Sequence, residues 1–297
     1  MDDTPILPLD LEREIFEFAA CSNVRFIPVL VLVAKRVRSW IEPLLYRTLS
    51  IAGDIHVGDS ADVIRISTSD CFKILESKPA SFFHNHVRHL AFTRVQSHAV
   101  ASILSQCSGA FRLALFQTGT PNSSSWLPSI EAMSLLQISA NVNRLFGNSG
   151  VDFHHDAFAR LTHLDLFEVP VSENWATDLC RLPRLTHLSF NFDTDDGENI
   201  DATACRIILG GCKSLGALVL IFEEDIHREE FESVDGCPYF SDDPRSVTMV
   251  AGAFLDDWER GATGQDDYWA KAEMFIQKRR SGEIKGREYS IPLDWEP

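Results

Sequence analysis

Apolar positions in the first fifty residues follow a helical period. Leu11, Ile15 and Phe18 share one face of a helix predicted over 11–20. Asp10 is its N-cap, and Glu12 and Glu14 sit on its positive first turn. A more apolar helix is predicted over 27–41. Pro28 suits its first turn, Pro43 ends it, and Lys35, Arg36 and Arg38 complement the dipole late in it. Residues 43–47 add one more turn, and 48–51 alternate as a strand does.

Beyond this helical unit the pattern changes to a repeat. The spacing L-x-x-L-x-L, with apolar substitutions, recurs as Val87/Leu90/Phe92, Ala110/Leu113/Leu115, Met133/Leu136/Ile138, Leu161/Leu164/Leu166, Leu185/Leu188/Phe190 and Leu215/Leu218/Leu220. Steps between first positions are 23, 23, 28, 24 and 30 residues, close to the leucine-rich range. The last two apolar positions of each unit alternate with other residues, as in a half-buried strand. Helix-like stretches such as 97–106, 173–180 and 202–209 precede most strands, and Gly109, Pro183 and Gly210-Gly211 end them. In this register the outward residues are His89/Ala91/Thr93, Arg112/Ala114/Phe116, Leu135/Gln137/Ser139, His163/Asp165/Phe167, His187/Ser189/Asn191 and Ala217/Val219/Ile221. Stacked strands lie about 4.8 Å apart, so His163 and His187 are predicted neighbours, with Phe116 and Phe167 in a parallel column. Such residues either form a concave binding face or lie under the protein's own loops.

The C-terminal part is acidic and then helical. Of the 16 excess negative charges of the chain, 14 acids less three bases, or 11, fall between Asp193 and Asp243. Segments 193–201 and 223–243 read as solvated loops, with a possible role in attracting a basic substrate. A strand is predicted near 247–251 and a helix over 267–281, with Asp266 and Asp267 at its start, Lys278, Arg279 and Arg280 at its end and Gly282 beyond. This helix, striped by Trp269, Ala272 and Ile276, is expected to cap the last repeat.

Composition narrows the class. The 297 residues are 45% hydrophobic and 24% charged, as in folded domains. A net charge of −16 repels nucleic-acid phosphate and anionic lipid, so neither is an expected partner. The longest apolar run, 26–34 (FIPVLVLVA), falls short of the about 20 residues a spanning helix needs. The start lacks a secretory pattern, and the seven cysteines form no CxxC pair, which together predict free thiols and a cytoplasmic or nuclear setting.

The opening LPLDLEREIFEFAA, followed by VLVLVAKRVRSWIEPLLYRTL, resembles an F-box. The resemblance rests on Leu7-Pro8, on Leu11, Ile15 and Phe16, on residues 33–40 (VAKRVRSW), and on Leu44, Leu45 and Arg47. It covers about the first fifty residues; the remainder resembles the degenerate leucine-rich arrays of fungal F-box proteins. Ala34-Lys35-Arg36-Val37 stands where many members carry Cys-Arg-x-Trp, which passes the groove-facing role to Trp40. The resemblance implies an α/β fold: an N-terminal three-helix F-box over 1–50, a short irregular leucine-rich-repeat solenoid over 51–252 and a C-terminal helical cap over 253–297. It implies a substrate-recognition subunit of a Skp–cullin–F-box ubiquitin ligase. Leu7, Pro8, Leu9, Leu11, Ile15, Phe16, Val33 and Trp40 would bind a Skp-type adaptor and through it a cullin. A protein substrate, not identified, would lie on His89, Arg112, Phe116, Gln137, His163, Asp165, Phe167, His187, Ser189 and Asn191. The alternative is an interaction scaffold outside any ligase, whose N-terminal helices only cap the solenoid. An open apolar patch at Leu7, Leu9, Ile15, Phe16 and the second helix would favour the ligase, and burial of these residues against the first repeat would favour the cap.

Catalytic and metal chemistry find little footing. GxSxG, HExxH, P-loop and GxGxxG patterns are missing, and Ser123-Ser124-Ser125 and the thiols of Cys71 and Cys237 have no activating neighbour in sequence. His84, His86 and His89, and the pair His154 and His155, lack a fourth zinc ligand within reach, so solvated or capping roles are expected. Asp193, Asp195, Asp196 and Glu198 lack the closing glutamate of a calcium loop. No cofactor, metal or catalytic residue is expected.

Overall fold

The computed structural model describes residues 7–53, 63–118, 126–147, 150–192, 202–225, 228–229, 242–285 and 288–295. Helices α1 (Leu9–Ser22), α2 (Ile27–Leu30) and α3 (Lys35–Ile41) fold onto one another, followed by a 3-10 segment, Glu42–Tyr46. Their small core is Ala20, Ile27, Val37 and Ile41, with Phe16, Trp40, Leu44 and Leu45 packed around it. The single helix expected over 27–41 is broken. Leu30 ends α2, and Ala34 is extended at φ −159° and ψ 153°. Valines at 29, 31 and 33 have restricted χ1 freedom in a helix, and the core accepts Ile27 and Val37 from opposite sides of the break.

Among the described residues nine strands form one parallel sheet. They are β1 (Thr48–Ala52), β2 (Arg65–Ser67), β3 (His89–Thr93), β4 (Arg112–Phe116), β5 (Gln137–Ala140), β6 (His163–Leu166), β7 (His187–Phe192), β8 (Ala217–Phe222) and β9 (Ser246–Val250). The order is β2-β1-β3-β4-β5-β6-β7-β8-β9, and every pairing is parallel. Leu90, Leu113, Ile138, Leu164, Leu188 and Leu218 stand in one cross-strand row. This shifts the third unit: its core triplet is Leu135/Ile138/Ala140, not Met133/Leu136/Ile138. Leu135 is therefore a core residue and not an outward one.

Each face of the sheet is buried by a different part of the chain. Helices α4 (Thr68–Glu76), α5 (Ala80–His86), α6 (Ser97–Gln106), α7 (Leu127–Glu131), α8 (Val142–Phe146), α9 (Trp175–Leu179) and α10 (Ala202–Gly211) lie between strands in sequence and contribute to one continuous apolar core. The opposite face is covered by α11 (Phe254–Thr263) and α12 (Tyr268–Ser281). Beside β9, Tyr289 and Ile291 exchange backbone hydrogen bonds with Thr248, each 2.9 Å, and so shield that sheet edge.

The expected architecture is corrected accordingly. The α/β class stands, but the chain is not a three-helix F-box followed by a short irregular leucine-rich-repeat solenoid with a helix at its end. It is an α/β fold on a nine-stranded all-parallel sheet with helices on both faces. The physical reason is visible in β8, whose six residues are all buried. Ala217, Val219 and Ile221 would meet water on an open concave face, so the helix expected to cap the end lies across that face. The expected boundary at residue 50 falls inside β1.

Two glycines separate tight packing from open space. A Cβ at Gly109 would stand 1.8 Å from the His84 carbonyl oxygen, whereas one at Gly210, inside α10, meets nothing within 4 Å. Gly109→Ala should lower stability by about 2 kcal/mol or more. Gly210→Ala should be neutral or raise it by about 0.5–1 kcal/mol through helix propensity. Urea denaturation of both variants checks the contrast.

Candidate functional site

The N-terminal helices leave many of their apolar side chains in solvent. Leu11, Ile15 and Phe18 recur on one face of α1 at spacings of four and three residues. Phe18 is 77% exposed and Leu32, at the break between α2 and α3, is 82% exposed. Leu7, Leu9, Phe26, Val29 and Val33 are exposed as well. Of the residues expected to bind an adaptor, Leu7, Pro8, Leu9, Leu11, Ile15 and Val33 are thus on the surface. Phe16 and Trp40 are half-buried against the small core.

Ion pairs hold this surface in place. The Arg36 guanidinium grips Glu12 on α1, donating from Nη2 at 2.8 Å and from Nε at 3.0 Å. Glu42 accepts from Arg38 at 3.1 Å and from Lys78 at 3.2 Å. Burial works against its charge, yet these two cations hold its carboxyl below the usual range. Tyr46 packs edge-on to Phe82 and Phe83 of α5, with centroids 5.2 and 5.9 Å away.

The second gathering of functional side chains is the sheet face under α11 and α12. His89 is buried, its Nδ1 lies 3.0 Å from the Thr48 hydroxyl, and burial with nearby Arg112 pushes its pKa down to about 3. Arg112 donates to the Gly261 carbonyl at 2.7 Å and lies over the Trp258 ring. Phe116 and Phe167 stack at 5.1 Å, and Phe254 meets both at 5.5 Å. The His163 and His187 rings stack at 4.1 Å, with Trp269 edge-on to each. His187 Nε2 lies 2.7 Å from a Glu273 oxygen. Gln137 is buried, and its side-chain nitrogen has no partner among the described residues. Asn191 is half-buried.

Asp165 is the centre of this face. Fully buried, it accepts hydrogen bonds from Ser139 at 2.7 Å, from Ser189 and from the Tyr268 hydroxyl. Burial pushes its pKa up to about 7 despite those donors. The expected substrate residues are therefore brought together, and the chain's own C-terminal helices occupy them. The arrangement suits a lock between layers, because the carboxyl is fully buried and held by hydroxyl donors from both the sheet and α12. Next to it a cavity of about 400 Å³ is lined by Met249, Asp257, Arg260, Asp267, Tyr268 and Lys271, among others.

The remaining candidates scatter. His84 meets Ser108, His86 lies against Phe82, and His89 belongs to the sheet. His155 accepts from the Ala157 amide as a cap, and His154 faces Arg181. Among the described residues no three His, Cys, Asp or Glu gather as a metal site, and no helix is long and apolar enough to cross a membrane. Segment 193–201, Ser123-Ser124-Ser125 and Cys237 lie outside the described residues, as do 226–227 and 230–241 of the second acidic segment. The apolar surplus of the second predicted helix over a small helical core was legible in sequence, but Phe18, Phe26, Val29 and Leu32 were not among the residues expected to bind an adaptor. Sequence reasoning also passed over Trp258, Tyr268 and Glu273, whose partners are distant in sequence. Set against known proteins, the chain matches no protein-family model and no curated protein.

The raised pKa of Asp165 sets a pH dependence. The unfolded carboxyl titrates near about 3.9 and the folded one at about 7, so between them the native state holds the extra proton. The stability contributed by Asp165 is therefore full below pH ~4 and is lost as pH rises through 7. His89 and His163, held neutral by burial, act in the opposite sense in acid. The stability difference between the parent and Asp165→Asn isolates the carboxyl. It should move against the parent from pH 4 to 7.5 in denaturant titrations, and a flat difference would refute the assignment.

Proposed function

We propose that this chain is a non-catalytic subunit of a Skp–cullin–F-box type ubiquitin ligase. It docks on a Skp-type adaptor through residues 7–40 and holds a protein substrate near the conjugating enzyme that the cullin recruits. The observation that carries the reading is the open apolar surface of Leu11, Ile15, Phe18, Val29 and Leu32 on a helical unit held by ion pairs. Apolar helix faces of this kind are built to enter a partner's groove. The F-box resemblance of the first fifty residues, which includes Leu11 and Ile15, suggests the partner. Catalysis by this subunit is proximity: a tethered substrate sees the charged conjugating enzyme at high effective concentration, with no reacting group supplied here. The substrate surface lies outside the sheet face covered by α11 and α12.

The alternative, a scaffold whose N-terminal helices serve only as a cap, requires those helices to seal an apolar end of the sheet. Instead α1, α2 and α3 pack on each other, while Glu42 pairs with Lys78 and Tyr46 packs on Phe82 and Phe83 of α5. Leu9, Leu11, Ile15, Phe18 and Val29 stay exposed.

Calorimetric titration of the full chain with a purified Skp-type adaptor tests the proposal. The parent should bind, and Ile15→Asp or Leu32→Asp should weaken binding at least about tenfold, or about 1.4 kcal/mol, without changing Tm. Val171→Asp, an exposed apolar site on another part of the chain, should bind as the parent does. A folded parent that fails to bind overturns the reading.

A further inference from the structure

Two thiols from consecutive helices meet on the layer opposite α11 and α12. Cys180 ends α9, and Cys212 follows α10. Their sulfurs are 2.8 Å apart, closer than unbonded sulfurs rest and not far from the about 2.05 Å of a disulfide. Gly211 makes the approach possible, because a Cβ there would lie 2.8 Å from the Cys180 sulfur. The Cys212 backbone is fixed by its amide, which donates to the Ile208 carbonyl at 2.9 Å. Cys180 is half-exposed while Cys212 is buried, so one thiol of the pair is open to a small solute and the other waits behind it.

We propose that Cys180 and Cys212 form a reversible disulfide site closed by peroxide. The Cys180 thiolate attacks one peroxide oxygen, the O–O bond breaks, and the departing hydroxide takes a proton to become water. That leaves a sulfenic acid on Cys180. Cys212 then attacks the Cys180 sulfur, the S–S bond forms, the S–O bond breaks, and the second oxygen leaves as water with the Cys212 proton. Two thiols are oxidised and one peroxide is reduced to two waters. A dithiol reductant reverses the bond.

The local chemistry assigns these roles. The Cys212 S–H donates to the Cys180 sulfur, which lowers the pKa of Cys180 and raises that of Cys212. Cys180 in turn contacts the Ile207 carbonyl at 3.6 Å. Arg245 stands on the Cys212 side and favours its thiolate once the proton is shared. Cys71 and Cys107 are fully buried, and burial pushes both up to about 12, which keeps them from competing. The bond would join α9 to α10 and close residues 180–212 into a ring, restricting the unfolded chain. This inference is independent of the ligase reading.

The test is peptide mapping of the full chain after brief treatment with hydrogen peroxide and alkylation. A linked peptide containing Cys180 and Cys212, lighter by two hydrogens, is expected, with Cys71 and Cys107 still alkylated only after unfolding. Oxidation should raise Tm by about 5 °C, and dithiothreitol should restore the starting value. Cys180→Ser should abolish both the link and the shift. Oxidation of Cys180 to sulfinic acid without a link, or linkage of either cysteine elsewhere, overturns the proposal.

Discussion

A parallel sheet whose strands carry apolar side chains on both sides has to be covered on both sides, and in this chain a single cross-strand row decides what the second cover must be. That row runs Ser50, Ala91, Ala114, Ser139, Asp165, Ser189, Val219, Val247. It is small at one end, polar in the middle and apolar at the other end. The C-terminal helices answer it position by position. Trp258 fills the space above Ala91 and Ala114, the Tyr268 hydroxyl reaches Asp165, and Trp269, Ala272 and Ile276 share a cluster with Val219 and Val247. At the small end Glu259, fully buried, accepts from Ser50 at 2.6 Å and from Arg65 at 2.9 Å. A register slip of the helices by one turn would take Glu259 from Ser50 and Arg65 and the Tyr268 hydroxyl from Asp165, which is how polar contacts select one seating among several of similar apolar area.

The two faces are therefore held by different physics. On the first face the core is a continuous run of aliphatic and aromatic side chains, and its helices come from the segments between strands. On the second, the cover comes from one C-terminal segment and meets histidines, an arginine and a carboxylate. Several polar atoms there, among them Arg112 Nε, Gln137 Nε2 and the indole nitrogens of Trp258 and Trp269, find no partner among the described residues. Desolvating such groups offsets part of the apolar gain, by about 1–3 kcal/mol each when nothing compensates. The second interface thus contributes less per unit area than the first, and more of its strength depends on protonation.

What could be read in advance follows from the range of each signal. The L-x-x-L-x-L spacing marks where strands lie, because the alternation is local and each unit repeats it. It misplaced the third unit because Ala140 is small, which made Leu136 the more tempting choice, although Leu135/Ile138/Ala140 gives the more even steps of 25 and 26 residues. The arrangement within the α/β class was misjudged for a different reason. A strand pattern reports that a face is apolar or polar but not what covers it, and the partners that the covering helix brings to Asp165 and His187, Tyr268 and Glu273, lie 103 and 86 residues away. One local clue was present: Ala217, Val219 and Ile221 are apolar outward as well as inward, which an open face does not tolerate. Of the site, the exposed part of α1 was legible from its period, whereas the break at Ala34 was not, since the run 26–34 reads as one helix until the size of its core is considered.

The exposed surface on the first fifty residues gains its meaning from how it is joined to the rest. The 3-10 segment ends at Tyr46 and β1 begins at Thr48, so no linker separates the helical unit from the sheet. Lys78 and the Phe82–Phe83 pair brace the junction from the side. Effective concentration falls steeply once a tether grows long and flexible, and it is greatest when two binding surfaces are held at a set separation. A helical unit meant only to cover a sheet needs contact and not spacing. The short junction found here, braced by Lys78, Phe82 and Phe83, sets a spacing between the sheet and an apolar surface that stays exposed to solvent.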